Sequence, residues 1–587
     1  MDQNKDRYLG QFSQVNRCTP WQLIKSYWQS DQRFPAYIFS IIVMVMTVSL
    51  VGLDVIFNYW YNYFYDALQA YDTHGTVRLL MVFCVIAFFY IILAVYRYYV
   101  SQLFGLRWRR WLTHQFVGRW LQNRSYYLLE NFDEKTDNPD QRIQEDVGSL
   151  INFSIDLSMG LIGAITTFIA FIYILWQLSG TLVVPLGRFG SLHVSGYLVW
   201  VGIIYALIGT LLAFKIGRPL VPLNFEQQRR EATFRFAAVD LRSHAENVAL
   251  YSGETHQKTI LDRLFGRVLD NWYMIILRQK ILLWFSAGYN QVSVLLPLVV
   301  ALPNYFDKVF LLGGLIQSLQ AFGRVQDSLS FLVNSYPRIA EWQAVAQRLT
   351  TFVNHISDAE EKAEKENRLI FCKHPEEVIA VRNMAVSTPR SQLLLENINE
   401  NFVHGQNYLI KGESGIGKST FVRAMAGIWP YAAGEATFPE SQRVMYLPQK
   451  PYMPIGTLAE AILFPDHKHK ELEAQLETVL RQCNLEEFIP RLSETATWSE
   501  RLSPGEQQRI AFARVLLHKP DWVFMDESTS MLDGANEAAM YNALKNYLPS
   551  CSVISVGHHD SLQPYHEHVI DMEKYHAPRL LLPSPSA

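Results

Sequence analysis

The chain has 587 residues, enough for several domains, with 49% hydrophobic and only 18% charged residues. Its net charge of −3 argues against a general nucleic-acid binder, which would carry a basic excess. The five cysteines are scattered, without the spacing of a zinc site or a disulfide framework. The polar, charged start predicts that the chain has no cleaved signal peptide.

Six apolar segments are long enough to cross a membrane as helices, which takes about 20 residues each. The first segment contains a single ionisable residue, Asp54. An even number of spans places both ends of the membrane region on the same side. The sequence therefore predicts an α-helical membrane domain with six transmembrane helices, at 36–57, 77–100, 157–179, 197–216, 281–303 and 309–333.

Positive charge predicts how these spans are oriented. The segments 105–155 and 215–280 carry seven and eleven Lys or Arg residues, whereas 58–76 carries none and 180–196 carries only Arg188. We therefore expect the two long basic segments and both termini in the cytoplasm. Because both segments have a helix-like composition, the spans should continue there as long intracellular hairpins that contact a partner.

After the last span the composition changes to a charged stretch, which is typical of a linker. Short apolar runs then alternate with helical periods, which predicts an α/β domain. The domain prediction is a cytoplasmic N-terminal segment at 1–30, a transmembrane domain at 31–345, a linker at 346–375, a P-loop nucleotide-binding domain at 376–575 and a tail at 576–587.

A glycine loop, GESGIGKST, lies between an apolar run and a helical pattern. It fits G-x-x-x-x-G-K-[ST], in which backbone N–H groups surround phosphate oxygens. Lys418 is predicted to reach the β- and γ-phosphates of ATP, and Ser419 to ligate Mg²⁺. A chance glycine-rich turn is the alternative, which the order of strand, loop and helix disfavours. The predicted nucleotide-binding residues of this phosphate loop are Gly412, Glu413, Ser414, Gly415, Ile416, Gly417, Lys418, Ser419 and Thr420.

Two carboxylates follow the apolar run WVFM. Asp526 is predicted to hold the Mg²⁺ shell, and Glu527 to orient and polarise an attacking water as the catalytic base. An acidic pair after a strand is more often a solvated turn. The α/β pattern downstream of a phosphate loop favours the catalytic interpretation here.

The segment before these carboxylates, Leu502-Ser503-Pro504-Gly505-Glu506, resembles the LSGGQ signature of ATP-binding-cassette ATPases. Three further motifs occur in the order of that family: Gln449 in YLPQKPYM is similar to the Q-loop, Ser530-Met531-Leu532-Asp533 to the D-loop and His558 in ISVGHHD to the switch histidine. His559 is the alternative switch residue. The resemblance implies a catalytic role for His558, a metal and nucleotide contact for Gln449, and nucleotide contacts for Ser503, Gly505, Glu506 and Asp533.

The signature opens a helix, so Ser503 and the Gly505 N–H form an anion site at a helix start. In this family that site caps the nucleotide bound to another cassette, and a chain with one cassette therefore implies a homodimer. Pro504 departs from the family pattern, although a helix start tolerates proline. Thr388 stands where relatives usually carry an aromatic ring that stacks on adenine. Either that ring is missing or one from elsewhere in the fold replaces it.

The membrane half, with NYWYNYFYDALQ, LRWRRWLT, DNPDQRIQEDV and GRPLVPLNFEQQRREATFRF, resembles the SbmA/BacA-like subfamily of half-transporters. These are close to bacterial YddA-type proteins and more distantly related to the peroxisomal ABCD fatty-acyl transporters. The resemblance implies an exporter-type fold in a bacterial inner membrane. It also makes 231–235 similar to an element that contacts the cassette. DNPDQRIQEDV is either another such element or a solvated turn, and Trp108 and Trp111 fit interfacial anchors better than ligand contacts.

Polar residues occur at helical spacing along the last span. Such a stripe is costly in a membrane unless it faces water, protein or a pathway. One interpretation packs it against neighbouring helices, with Arg324 paired to Asp327 at i, i+3. The other places it along a hydrated transport path, formed by Asn290, Gln291, Gln317, Gln320, Arg324 and Asp327.

The predicted function is ATP-driven transport by a homodimer that uses ATP and Mg²⁺ and binds membrane lipid but no nucleic acid. The subfamily implies large hydrophilic cargo, such as peptides, glycopeptide drugs or corrinoid-like molecules. Transport of lipid or fatty-acyl-CoA is the alternative within the class. A membrane-tethered ATPase that acts as a sensor without translocation is the alternative outside it.

Overall fold

The computed structural model describes residues 18–132, 139–185, 191–306, 308–466 and 470–577. These residues divide into two compact units. The helical unit comprises 18–121 and 139–355, and the α/β unit comprises 122–132 and 356–577. The N-terminal 17 residues and most of the predicted tail, 578–587, lie outside the described residues.

Long helices dominate the first part of the chain, because its apolar segments continue into polar stretches with few helix breakers. The 53 residues of the longest helix, Glu254–Phe306, span about 80 Å at ~1.5 Å per residue, far more than a ~30 Å hydrocarbon core. A π-helical turn, Arg142–Asp146, links the helices Pro139–Gln141 and Val147–Ser179. The helices are α1 Pro20–Gln29, α2 Arg33–Gln69, α3 Thr73–Leu121, α4 Ser125–Phe132, α5 Pro139–Gln141, α6 Val147–Ser179, α7 Tyr197–Gly217, α8 Leu220–Ser243, α9 Ala245–Leu250, α10 Glu254–Phe306, α11 Leu312–Asn334 and α12 Tyr336–Glu366.

Five of the six predicted spans lie entirely within helices, and the sixth, 309–333, does so except for its first three residues. Within the described residues, five helical segments are long and apolar enough to cross a membrane. They are Arg33–Gln69, Thr73–Phe132, Pro139–Ser179, Tyr197–Ser243 and Glu254–Phe306. The sixth predicted span coincides with α11, which is more polar and packs against α2, α6, α7 and α10. Phe171, Phe322 and Val325 lie in the core of this bundle.

The loop predicted at 180–196 contains a β-hairpin that the sequence analysis did not foresee. Strands β1 Thr181–Pro185 and β2 Ser191–Ser195 pair antiparallel, with Thr181 opposite Ser195. The run TLVVP is only five residues long and follows a long apolar helix. It was therefore indistinguishable from the end of the preceding span.

Trp108 is a core residue, so its interpretation as an interfacial anchor was wrong. Its ring is 1% exposed and stacks on Tyr27 of α1, with 5.4 Å between ring centroids. Thr19 caps α1 through a capping box with Gln22. The described part of the predicted N-terminal segment is thus a helix packed into the helical unit.

The motif DNPDQRIQEDV ends in a buried ion pair of the helical unit. Arg348 Nε on α12 donates to Asp146 Oδ2 at 2.9 Å, and Arg142 Nη1 donates to the same oxygen at 3.1 Å. Asp137 and Asn138 lie outside the described residues. The solvated turn does not describe the end of this motif, because Asp146 is only 5% exposed and neutralised within its own unit.

Helix α4, from the long basic segment 105–155, belongs to the α/β unit. Phe132 packs edge-on against Trp429 and Tyr431, with 5.3 Å between centroids in each pair. Arg124 Nη1 donates to the carbonyl of Gly427 at 3.0 Å. The predicted coupling element at 231–235 lies within α8 of the helical unit.

The α/β unit is built on two sheets and a short strand pair. The strands are β3 Arg368–His374, β4 Val378–Ser387, β5 Leu393–Val403, β6 Tyr408–Lys411, β7 Ala432–Pro439, β8 Val444–Leu447, β9 Gly456–Thr457, β10 Thr495–Ala496, β11 Trp522–Asp526, β12 Ser552–Val556 and β13 His568–Asp571. The five-stranded sheet is parallel, in the order β13-β6-β12-β11-β8. In the four-stranded sheet, β3-β7-β4-β5, β4 is antiparallel to both neighbours and β3 is parallel to β7. The short pair joins β9 and β10.

Helices cover these sheets, and β11 and β12 are buried on both faces, as expected of central parallel strands. Because parallel strands end at one edge, the residues after β6, β11 and β12 meet there. The α-helices are α13 Lys418–Met425, α14 Leu458–Leu463, α15 Lys470–Glu473, α16 Leu476–Gln482, α17 Trp498–Arg501, α18 Pro504–His518 and α19 Gly534–Tyr547. The 3₁₀ helices are Gln122–Arg124, Glu486–Arg491, Asp560–Tyr565 and Met572–Tyr575.

The predicted linker, 346–375, is regular structure. Helix α12 continues through its charged part to Glu366, and β3 occupies most of the rest. An ion pair between Glu361 and Lys365, one turn apart, supports this solvated helix. The charged composition therefore marked an exposed helix rather than an irregular connection.

Candidate nucleotide-binding and hydrolysis site

The phosphate loop connects β6 to α13. Gly412, Gly415 and Gly417 adopt φ values of 147°, 84° and 114°, a region that side chains with a Cβ rarely enter. Helix α13 begins after Gly417 without a side-chain cap. The first N–H groups of a helix have no acceptor within it, so this start is suited to an anion.

Lys418 is held inside the phosphate loop. Its Nζ donates to the carbonyl oxygens of Gly412 at 2.8 Å and Glu413 at 2.9 Å. Burial lowers the pKa of Lys418, and the carboxylates of Glu527 and Asp526 act in the opposite direction. These two bonds hold the ammonium group against the backbone of the phosphate loop.

Ser419 and Asp526, two of the three predicted magnesium ligands, lie together. Ser419 Oγ donates to Asp526 Oδ1 at 2.8 Å. Burial raises the pKa of Asp526, although the bond from Ser419 opposes this. A hydroxyl and a carboxylate oxygen at this spacing fit Mg²⁺, which takes few protein ligands and completes its shell with phosphate and water. The third predicted ligand, Gln449, is bonded to Glu527 instead.

Glu527 lies between two of the predicted motifs. Gln449 Nε2 donates to Glu527 Oε2 at 2.8 Å, and His558 Nε2 is 3.4 Å from Oε1. Glu527 has a φ of 48°, and its N–H donates to the Val556 carbonyl at 3.1 Å. Strained backbone at a carboxylate is frequent in catalytic sites. The first histidine of the pair, His558, is the one beside Glu527.

The signature segment, 502–506, begins α18. Ser503 is the N-cap: Glu506 N–H donates to Ser503 Oγ at 3.3 Å, and Ser503 N–H donates to Glu506 Oε2 at 2.7 Å. Gly505 lies against the D-loop, where an added Cβ would be 3.1 Å from the Met531 carbonyl oxygen. Asp533 caps α19 by accepting from Asn536 N–H at 2.7 Å. Within the described part of the chain, no hydrogen bond or ion pair joins the signature segment to the phosphate loop.

Gln508 is a site residue that the sequence analysis missed. Its side chain is buried on α18, with Nε2 3.2 Å from the Gln449 carbonyl and 3.4 Å from Ser530 Oγ. Its Oε1 accepts from Met531 N–H at 3.0 Å. One amide therefore joins the signature helix to the Q-loop and the D-loop. The sequence offered little signal for this role, because Gln508 stands in the polar run EQQR that precedes the apolar stretch IAFA.

Thr388 is part of a hydrogen-bonded turn and provides no aromatic ring on which adenine could stack. Its N–H donates to the Gln392 carbonyl at 2.8 Å, and its Oγ1 accepts from Gln392 N–H at 3.2 Å. Trp429 is the aromatic residue near this turn, and its indole N–H donates to the carbonyl of Ser387, the residue before Thr388, at 2.9 Å. Its ring, however, packs against Phe132 and Tyr431.

The predicted transport path separates into a buried and an exposed part. Gln317 is 2% exposed: Asn58 Nδ2 donates to its carbonyl at 3.2 Å, and the Asn62 amide donates to its Oε1. This residue matches the packed interpretation. In contrast, Gln320, Arg324 and Asp327 on α11 and Asn290 and Gln291 on α10 are exposed.

Arg324 does not pair with Asp327 as the packed interpretation required. Its Nη2 donates to Asp54 Oδ1 on α2 at 2.8 Å. The single ionisable residue of the first span is therefore neutralised by the last one. Asp327 remains on the exposed face of α11.

A phosphate loop, a Ser–Asp pair, a carboxylate between glutamine and histidine, and a capped signature helix define an ATP hydrolase, and the apolar helices make it a transmembrane protein. Residues 26–306 match the family model "ABC transporter transmembrane region 2", and residues 395–530 match "ABC transporter". The chain belongs to the ABC transporter family. With one transmembrane region and one ATP-binding region, it is an ATP-hydrolysing half-transporter.

Its relatives extend over nearly the whole chain. An "Uncharacterized ABC transporter ATP-binding protein" of Haemophilus influenzae is 35% identical over 93% of this chain and 90% of its own length. "Inner membrane ABC transporter ATP-binding protein YddA" of Escherichia coli is 33% identical, over 91% and 94%. "ABC transporter D family member 2, chloroplastic" of Arabidopsis thaliana is 29% identical, over 94% and 85%.

A solved bacterial Atm1-family ABC exporter with ATP bound has the same fold. Its TM-score is 0.71, with 91% of this chain and 93% of that chain covered at 15% sequence identity. The predicted fold class, an exporter-type helical domain fused to an α/β nucleotide-binding domain, is confirmed. The prediction of an ATP-hydrolysing transporter is confirmed as well.

Proposed function

We propose that two copies of this chain form a homodimeric transporter in a bacterial inner membrane, with both termini in the cytoplasm. It moves large hydrophilic solutes, of the kind handled by the SbmA/BacA-like subfamily, with energy from ATP. The observation that carries the cargo class is the exposed polar face of α11, formed by Gln320, Arg324 and Asp327. The inner membrane is supported by the resemblance to YddA.

The polar face supports a hydrated path because its exposure to lipid would be costly. Each charged side chain at the centre of a bilayer costs roughly 2.5–3.5 kcal/mol on insertion scales. Arg324 is partly compensated by Asp54, but Asp327 and Gln320 have no such interhelical bond among those the structure describes. Asn290 and Gln291 on α10 add to the same polar surface. Water and a hydrophilic solute are the surroundings that these groups favour.

The homodimer is supported by the construction of the α/β unit. The phosphate loop and the signature segment are each formed, yet no hydrogen bond or ion pair joins them among the residues that the structure describes. In the proposed dimer, Ser503 and Gly505 of one copy meet the ATP held by the phosphate loop of the other. Asp533 lies at the same face, at the start of α19.

The residues around Glu527 support a mechanism of hydrolysis. Lys418 and the first N–H groups of α13 would bind the phosphates. Ser419 and Asp526 would hold Mg²⁺, together with the side-chain oxygen of Gln449, whose Nε2 is bonded to Glu527, and the ion would neutralise phosphate charge there. Glu527 orients the attacking water and accepts its proton. His558 donates a hydrogen bond to Glu527 or to the terminal phosphate, and so fixes the geometry between them.

Lipid or fatty-acyl cargo is a second candidate, favoured by a different observation. A groove of about 630 Å³ lies between α2 and α3 and is lined mainly by apolar side chains, including Leu53, Phe89 and Leu93. Gly52 leaves it open, since nothing lies within 4 Å of a Cβ added there. Relatives of the D family are also similar to this chain. Such a groove suits an acyl chain better than a peptide.

Flux measurements in proteoliposomes separate these functions. Purified protein is tested with a labelled peptide and with a labelled acyl-CoA, with ATP and with Glu527→Gln as the hydrolysis-deficient control. We expect ATP-dependent peptide flux that Gln320→Leu lowers. Gln326→Leu is the control and should not lower it, because Gln326 accepts a hydrogen bond from Ser293 and lies away from the exposed polar face. Acyl-CoA flux without peptide flux would replace the first candidate by the second. ATP hydrolysis without either flux would favour a sensor.

A further inference from the structure

A buried hydrogen-bonded cluster closes the base of the loop that carries His558. This switch loop, 557–565, leaves β12 after Val556 and returns at His566. His566 Nε2 is 2.8 Å from Ser555 Oγ, and His566 Nδ1 is 2.7 Å from the Leu562 carbonyl oxygen. Ser555 and His566 are 1% and 7% exposed. The two ends of the loop are therefore joined by side chains that water does not reach.

The donors and acceptors of this cluster are fixed by its surroundings. The Leu562 carbonyl can only accept, so the proton of the imidazole lies on Nδ1. Burial lowers the pKa of His566, which leaves Nε2 as an acceptor for the Ser555 hydroxyl. Since Ser555 then has no further proton to give, the Tyr541 hydroxyl, 3.0 Å away, donates to Ser555 Oγ.

Each member of the cluster is attached to a part of the hydrolysis site. Ser555 on β12 lies opposite Met525 on β11, and the next residues of the two strands, Val556 and Asp526, lie opposite each other. Tyr541 lies on α19, the helix that follows the D-loop. Thr529, the residue before the D-loop, is also bonded to that helix, because its Oγ1 donates to Glu537 Oε2 at 3.0 Å. Displacement of Ser555 would therefore move His558 and the D-loop relative to Glu527.

We propose that Ser555 and His566 are positioning residues for hydrolysis. Together they close the switch loop and hold His558 beside Glu527. Tyr541 connects them to α19, and we call the hydrogen-bonded set of Ser555, His566 and Tyr541 the clasp. None of the three touches the nucleotide, so the clasp acts through His558. The inference rests on the role proposed above for His558.

The first test compares steady-state ATP hydrolysis by full-length variants in nanodiscs. Ser555→Ala removes the central hydroxyl and should lower kcat about tenfold with KM within about twofold, since a small misplacement affects the chemical step more than binding. Tyr541→Phe should lower kcat less. Tyr575→Phe is the matched control, because its hydroxyl donates to Glu400 at 2.7 Å away from the switch loop. An unchanged kcat in Ser555→Ala would overturn the proposal.

A conservative pair separates positioning from mere stability. His566→Gln keeps an acceptor for Ser555, whereas His566→Leu keeps only the volume. We expect the Gln variant to retain most of the kcat that the Leu variant loses, with ATP binding preserved in both. Equal losses in the two variants, or a loss of ATP binding that matches the loss of kcat, would show that the cluster only supports folding.

A double-mutant cycle with His558→Ala shows whether the clasp acts through the switch histidine. If it does, Ser555→Ala should lower kcat no further in the His558→Ala background. Independent losses that multiply would refute the clasp and leave the role of His558 standing. A His558→Ala variant with wild-type kcat would instead refute the role of His558, and the clasp through it.

Discussion

Two helix starts in the α/β unit are built in opposite ways. Helix α13 begins at the phosphate loop without a side-chain cap, while α18 begins at the signature segment with a complete capping box. The first leaves N–H groups for a phosphate. The second uses Glu506 to satisfy its own backbone and presents Ser503 on the surface. This contrast agrees with the proposal that the phosphate-loop side holds a nucleotide and that the signature side covers one.

The two sides also differ in how they are connected. Around the phosphate loop, Ser419 is bonded to Asp526, and Glu527 to Gln449. The signature side reaches this group through Gln508, which contacts the backbone of Gln449 and the D-loop. This difference fits the proposed homodimer, in which the signature side of one copy acts on the nucleotide held by the phosphate-loop side of the other.

The largest expected effect is on the phosphate-loop side, at Glu527. Glu527→Gln keeps the contacts of the side chain but removes the proton acceptor, and loss of a general base typically lowers kcat ~10²–10⁴-fold. ATP binding should be retained. Steady-state hydrolysis and nucleotide binding by the purified variant check this. Turnover within about threefold of the wild-type rate would contradict the role of Glu527.

The connection between the two sides is tested at Gln508. Gln508→Leu leaves the Met531 N–H without its partner, a loss of roughly 1–3 kcal/mol for a buried donor, and should lower kcat about tenfold. Gln507→Leu is the matched control, because Gln507 is buried on the same helix but bonded to the Ser499 and Leu502 carbonyls. Thermal unfolding and hydrolysis are measured for both. Equal kcat losses at equal stability loss would refute a specific connection.

The adenine-facing edge of the phosphate-loop side is tested at Thr388. Stacking on an aromatic ring contributes ~1–3 kcal/mol per base in nucleic-acid binders, and ~1.4 kcal/mol is tenfold in affinity. Thr388→Tyr should therefore tighten ATP by up to about tenfold. The wild-type protein should discriminate weakly between ATP and GTP. A preference for ATP beyond about thirtyfold in kcat/KM would show that another group reads the base.

The smallest expected effect is at Glu506 on the signature side. Glu506→Gln keeps an oxygen that can accept from Ser503 N–H but removes a negative charge from the surface that would face phosphate. A partly exposed charge contributes below about 1 kcal/mol, so KM for ATP should fall about threefold. The change should weaken as salt concentration rises, because salt screens the charge. A KM that rises would contradict the proposed orientation of this surface.

The sequence was sufficient for the phosphate loop and the adjacent carboxylates of the α/β unit, where local rules determine the geometry. The phosphate loop follows from its glycines, and the proximity of Glu527 and His558 follows from strands that end at one edge. Gln508 was missed because its partners are backbone groups of two distant loops. The clasp of Ser555 and His566 was missed for the same reason, since its bonds close only when the switch loop is folded.

The helical unit was less predictable from sequence. Five of the predicted spans were located within helices that are long and apolar enough to cross a membrane, while the sixth coincides with the more polar α11. Contacts between side chains of different helices were not predicted. Helical spacing allowed Arg324 to pair with Asp327 on the same helix, whereas the structure pairs Arg324 with Asp54 on α2. Trp108 was misjudged because its partner, Tyr27, lies about 80 residues earlier in a helix that has no apolar run.

The claim that each hydrolytic site is shared between two copies is tested most directly by mixing inactive variants. Chains with Lys418→Ala and chains with Ser503→Arg are co-reconstituted, and ATP hydrolysis is compared with that of each variant alone. Each mixed dimer then has one site with both residues intact, so we predict activity well above that of either variant alone. Hydrolysis no higher than in the separate variants, with mixed dimers demonstrated by differential tags, would contradict the account.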